Sequence, residues 1–147
     1  MSHPLIAILI VIGAGSAVAT QSPINAALAR HLGSGIAAAV VSFGVGFVVL
    51  LALAAVLGQA QSLARVPSAA PILLIGGAIG AYFVWAALWA VPILGALTTV
   101  SALVLGQMLA ALVIDSTGML GLAVQGITPT RLLAAGLVAG GVMLSRL

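Results

Sequence analysis

The chain has 147 residues and five formal charges: Arg30, Arg65, Arg131, Arg146 and Asp115, with neither lysine nor glutamate. Charged residues make up 3% and hydrophobic residues 64%, whereas an ordinary soluble domain is about 25% charged. A charged shell around a soluble core cannot be built from five charges, so most soluble enzyme classes are excluded.

The class that remains is an integral membrane protein, in keeping with a mean hydropathy of +1.42. At roughly 20 apolar residues per crossing, the chain holds at most about six spans. The pI near 11.5 comes from arginines spread along the sequence rather than clustered in a patch, so it does not point to nucleic acid. With no cysteine, a disulfide framework and a Cys-ligated metal are excluded. No Lys or Arg precedes the first apolar run, and that run is too long for the apolar region of a signal peptide.

The first apolar segment runs from about Pro4 to Leu28, with Ser2 placed as its N-cap. After the break Arg30-His31-Leu32-Gly33-Ser34, the second covers about Ile36 to Leu57. A polar connection with Gln59, Gln61, Ser62, Arg65, Pro67 and Ser68 leads to the third, about Pro71 to Val91. Pro92 reads as a turn, and the fourth segment covers about Gly95 to Ile114. Asp115-Ser116-Thr117-Gly118 and a weakly apolar connection lead to the fifth, about Arg131 to Leu147, with Thr128-Pro129 as its N-cap and first helical residue. Membrane β-strands would alternate apolar and polar residues over about ten positions. These runs are continuous and rich in Ala, Leu and Gly, so they are read as five transmembrane helices of one domain. Gly76-xxx-Gly80 and Gly136-xxx-Gly140 are candidate points of close helix approach.

Five crossings put the termini on opposite sides. Arg65 and Arg131 then lie on one side with Asp115, and Arg30 and Arg146 on the other. The positive-inside rule needs an excess of Lys and Arg on one side to set orientation. Here the arginines divide evenly, and the N-terminal amine adds a weak tilt at most. A chain without that bias inserts both ways, which leads to a dual-topology protein forming an antiparallel homodimer. Flanking hydrophobicity or a partner protein could instead fix one orientation.

Polar residues inside a span are costly and mark function or helix–helix contact. The first segment carries Ser16, Thr20, Gln21 and Asn25. Gln21 and Asn25 share one helical face, and Pro23 between them cannot donate a backbone hydrogen bond. Two amides and a freed carbonyl can bind a neutral polar solute; they can equally bridge helices. Tyr82, Trp85 and Trp89 form one aromatic stripe of the third segment. Trp89, near the helix end, suits the interface. Tyr82 and Trp85 lie deeper, where rings can stack on a flat ligand. The fourth segment carries Thr98, Thr99, Ser101 and Gln107. Gln107 is a second-rank site candidate, and Ser42 ranks third because a lone serine usually bonds its own helix. Asp115, at a helix edge, reads as hydrated or paired with Arg131 rather than as a proton carrier. His3 and His31 read as interfacial. No catalytic or metal-binding constellation emerges, and no cofactor is expected.

Gln21-x-x-x-Asn25-x-x-Leu28, Gly76-Gly77-x-x-Gly80 and Gly106-Gln107…Asp115-x-x-Gly118 together resemble the YdcZ family of the drug/metabolite transporter superfamily. The resemblance extends over the whole chain. Ala81-Tyr82-x-x-Trp85 is also similar to the third helix of small multidrug resistance transporters. These resemblances imply half of a ten-helix fold that dimerises, with itself or with a paralogous half, to complete a substrate pathway. The small multidrug resistance proteins use a first-helix glutamate for proton and cation binding. This chain has no acid there, so that mechanism does not carry over.

The expected protein is therefore a multi-pass transporter of a bacterial inner (plasma) membrane. It would move a small, neutral or planar polar metabolite by alternating access, bound by Gln21, Asn25, Tyr82, Trp85 and Gln107. Its partners would be a small-molecule substrate, a second half and the lipid bilayer, with no nucleic acid and no enzymatic activity. A membrane subunit or assembly partner of a larger complex, a passive channel and a lipid scramblase are the alternative readings.

Overall fold

The computed structural model describes residues 4–147, with Leu120 described by its backbone alone. Ser2 and His3 lie outside the described residues. Helices α1 (Pro4–Leu32), α2 (Gly35–Val56), α3 (Ile75–Leu94), α4 (Ala96–Thr117) and α5 (Pro129–Leu144) carry the fold. No strand occurs among the described residues. Four helical stretches are long and apolar enough to cross a membrane: Pro4–Leu32, Gly35–Val56, Pro71–Leu94 and Ala96–Thr117. α5, at 16 residues, is apolar but shorter, about 24 Å at 1.5 Å per residue.

Several boundaries differ from the sequence reading. α1 continues through Arg30 and His31 to Leu32, where the Arg30 guanidinium lies by the negative end of the helix dipole. Ser34 then caps α2, its hydroxyl accepting from the Ala37 amide at 3.2 Å. The turn expected at Pro92 is instead made by Gly95. α3 passes through Pro92 to Leu94, losing only the hydrogen bond that a proline cannot donate. Gly95 has φ +79°, a conformation that residues with a Cβ avoid, and α4 starts directly after it. The polar connection before α3 is helical too, a 3₁₀ helix over Ala60–Ser68. Thr128 and Pro129 do stand at the N-cap and first position of α5, with the Thr128 side chain accepting from the Arg131 amide.

The chain divides into two compact units, one ending at Pro92 and one of Ile93–Leu147. In the first, α1 and α2 form an antiparallel hairpin. Its seam is made of small residues: Ser22, Asn25 and Ala26 of α1 are buried, as are Ala38 and Ala39 of α2. Small side chains let two backbones approach where lipid removes any hydrophobic drive to associate. Leu88 of α3 completes this cluster, with Leu28, Ala29, Val84 and Val91 packed around it. The GxxxG glycines are not this seam. Gly76, Gly77, Gly136 and Gly140 have open space where a Cβ would stand, and only Gly80 faces a neighbour, the Phe43 ring at 3.6 Å.

The second unit is an antiparallel α4–α5 hairpin tied near both ends. At one end Thr98 donates its hydroxyl to the Ser145 carbonyl at 3.1 Å. At the other, Arg131 pairs with Asp115 at 3.1 Å and also donates to the Gln125 side chain. α4 stops at Gly118, whose φ of +66° closes the helix in the left-handed form.

Candidate functional site

The polar residues of α1 divide by what they bond. Ser16, Thr20 and Ser22 donate to carbonyls of their own helix, so they are satisfied locally. Gln21 and Asn25 instead reach across the hairpin, their amide nitrogens converging on the Ser42 hydroxyl at 3.4 and 3.1 Å. Ser42 thus differs from the sequence expectation, in which its hydroxyl serves its own helix. It is the residue that joins the two amides. Two donors occupy both lone pairs of the hydroxyl, leaving its O–H free to donate. Asn25 is 5% exposed and structural in position, whereas Gln21 is exposed. Gln21 and Ser42 line an open groove of about 410 Å³ with Phe43, Gly46, Phe47, Leu50 and Val84.

Tyr82 and Trp85 stand on α3 with ring centroids 6.2 Å apart. They line a second groove, of about 480 Å³, with Ile36, Ala39, Val40 and Phe43 of α2 and with Ala81. Apart from the Tyr82 hydroxyl and the Trp85 indole N–H, its side chains are apolar. Trp89 stacks on Trp85, with centroids 6.4 Å apart and planes 17° apart. It lines a separate depression with Arg30, Ser34 and Pro92 at the α1–α2 turn, the helix-end location that an interfacial indole takes.

Phe43 belongs to both grooves. Gln21, with Ser42, and the aromatic pair, placed on different helices by sequence, therefore border neighbouring grooves that share the Phe43 ring, while Asn25 stands behind them, buried and lining neither. Gln107 is exposed on α4, in the second unit, and lines neither groove. Sequence reasoning missed Phe43 and the α2 wall of Ile36, Ala39 and Val40. Their signal is weak, because apolar residues in an apolar helix give no contrast. Ser42 was visible as a polar residue, but its long-range partners were not.

Asp115, the one acid, is held by Arg131 with both side chains about 30% exposed. The pair lines a smaller depression with Met108, Ala111, Leu112 and Ala134. No group of three or more His, Cys, Asp or Glu able to hold a metal occurs among the described residues.

The family model described as "Putative inner membrane exporter, YdcZ" matches residues 6–144. No curated protein matches the chain, and no solved structure does.

Proposed function

The chain belongs to the YdcZ family of inner-membrane exporters, and from that premise we propose that it moves a small, neutral or planar polar metabolite by alternating access. The proposed site is the pair of neighbouring grooves in the first unit. Gln21, linked through Ser42 to the buried Asn25, supplies an amide group on one side of Phe43, and Tyr82 and Trp85 supply stacking surfaces on the other. Gln107 is proposed as a fifth contact, supported by its position mid-helix, between the polar residues at the two ends of α4. The observation that carries the reading is the joint bordering of Phe43 by both grooves.

The functional form is a dimer of oppositely inserted copies, or a pair with a paralogous half. Two features support this. Both grooves open outward, so one copy leaves a polar solute facing lipid on the open side. The arginines also sit in opposed pairs. In the first unit Arg30 is at the α1–α2 turn and Arg65 in the connection from α2 to α3; in the second, Arg131 and Arg146 flank the two ends of α5. A fifth crossing by α5 is supported by the ties of Ser145 to Thr98 and of Arg131 to Asp115, which run it back along α4.

A thermal-shift screen of small metabolites on the purified protein tests the site, since a ligand that binds only the folded state raises apparent stability. Asn25→Ala and Trp85→Ala are expected to lose the shift produced by the best ligand while leaving the oligomer intact. A wild-type shift in both variants ends the reading. C-terminal reporter fusions test the dual insertion: activity on one side of the membrane alone rejects it.

A further inference from the structure

The 3₁₀ helix over Ala60–Ser68 is nine residues long, where such helices rarely exceed three or four. Its residues repeat every three positions, and side chains three apart eclipse one another. Ala60, Leu63 and Val66 therefore form one edge, and Ser62, Arg65 and Ser68 another. Leu63 is 49% and Val66 45% exposed, so the apolar edge is left uncovered by the rest of the chain. Ser68 folds back to donate to the Arg65 carbonyl at 2.7 Å, closing the end of the helix while the Arg65 side chain stays exposed.

The location supplies the occupant. The segment joins two stretches long and apolar enough to cross a membrane, Gly35–Val56 and Pro71–Leu94. Two crossings joined this way hold both ends of the segment at the same bilayer surface. An apolar edge against a polar edge with one cation, fixed at that level, has the pattern of an interfacial helix. We propose that Ala60–Ser68 is a membrane-surface strap, with Leu63 and Val66 sunk into the boundary of the acyl chains and Arg65 on the phosphate of an anionic phospholipid. It is a lipid-binding surface distinct from the grooves around Phe43, and it holds whether or not those grooves bind a solute.

The sequence has no cysteine, so single cysteines introduced at each position from Ala60 to Ser68 can be spin-labelled one at a time. The full chain is reconstituted in vesicles of phosphatidylcholine with phosphatidylglycerol. Accessibility to oxygen against a water-soluble nickel complex should oscillate with period three. Labels at 60, 63 and 66 should sit about 5 Å or more deeper than those at 62, 65 and 68. Scanning nine positions keeps the result independent of any one variant that fails to fold. A second measurement uses a fluorophore at position 63, through Leu63→Cys. Quenching by spin-labelled phosphatidylglycerol should exceed that by spin-labelled phosphatidylcholine by roughly fivefold, the equivalent of about 1 kcal/mol for one arginine at an anionic surface. That preference should vanish in Arg65→Gln. Uniform water exposure, a period near 3.6, or protection only when a second protein is present overturns the strap. Equal quenching by both lipids overturns the role of Arg65.

Discussion

The α1–α2 hairpin is joined inside its helices by two amides and a hydroxyl, Gln21 and Asn25 on Ser42. The α4–α5 hairpin is joined near its ends, by Thr98 on a carbonyl and by the Asp115–Arg131 pair. Both solve the same problem, holding antiparallel helices together where lipid is as apolar as the side chains. The difference follows from depth. A charge at the centre of a span costs about 2.5–3.5 kcal/mol on insertion scales, so the only acid and its arginine stand at a helix edge. Neutral amides carry a smaller penalty and can sit deeper. They also keep unused hydrogen-bonding atoms, whereas the ion pair is largely consumed by its own partner. The first hairpin is therefore suited to exchange partners with a solute and the second to hold its shape.

Breaking the ion pair should have the largest effect on stability. Both side chains are about 70% covered, between an exposed pair and a fully buried one. Asp115→Ala should cost about 2–3 kcal/mol, since it strands a covered guanidinium. Arg131 Nη1 is already buried without a partner, while the remaining bond to the Gln125 side chain keeps the loss below that of a fully buried pair. Denaturation in detergent, with Arg131→Ala and the double variant completing a cycle, measures it. A coupling near zero would mean that the second hairpin is not held by charge.

The next effect is expected at Gly118. A Cβ there would lie 2.7 Å from Val124 Cγ2 and 3.1 Å from the Leu122 carbonyl. The left-handed backbone alone costs a residue with a Cβ about 1–2 kcal/mol. Gly118→Ala should therefore destabilise the second hairpin by about 1–2 kcal/mol, read as a lowered melting temperature, and leave ligand shifts in proportion to folded protein. A loss of ligand response in well-folded Gly118→Ala would tie this turn to the site and blur the division between the hairpins.

These positions also show what sequence can and cannot carry. The long helices and their apolar character were legible, because each is a run of composition that needs no partner to be recognised. Pairing of Asp115 with Arg131 was legible too, as the one acid has few candidate cations. The Ser22–Ala26 and Ala38–Ser42 seam was not. In an Ala-rich chain, small residues are everywhere, and the GxxxG spacing marks glycines of which only Gly80 meets a neighbour. The Pro92 turn was misplaced because proline removes one hydrogen bond without stopping a helix packed against neighbours, while the φ of Gly95 does stop it. Phe43 was invisible as a dividing ring, since only the arrangement of three helices gives it two faces.

Ser42→Ala is expected to act more gently on stability and more sharply on function. Interhelical hydrogen bonds in membranes average about 0.6 kcal/mol, so losing two should cost roughly 1 kcal/mol in a detergent melt. Both amides would then be freed to turn. Ligand affinity should fall, with partial rescue in Ser42→Thr, which restores the hydroxyl. Unchanged affinity in Ser42→Ala would reduce the amides to a helix clasp.

The smallest stability effect is expected at Gln107. It is exposed on α4, and an exposed substitution with no special backbone role usually changes stability by no more than about 0.5 kcal/mol. Gln107→Leu should melt like the wild type, which makes it a clean probe of binding. If the amide touches the solute, the ligand-induced shift falls without any change in the ligand-free melting temperature. A full ligand shift would confine recognition to the first hairpin and α3. Loss of the shift would bring the second hairpin into the site, despite its being closed by charge.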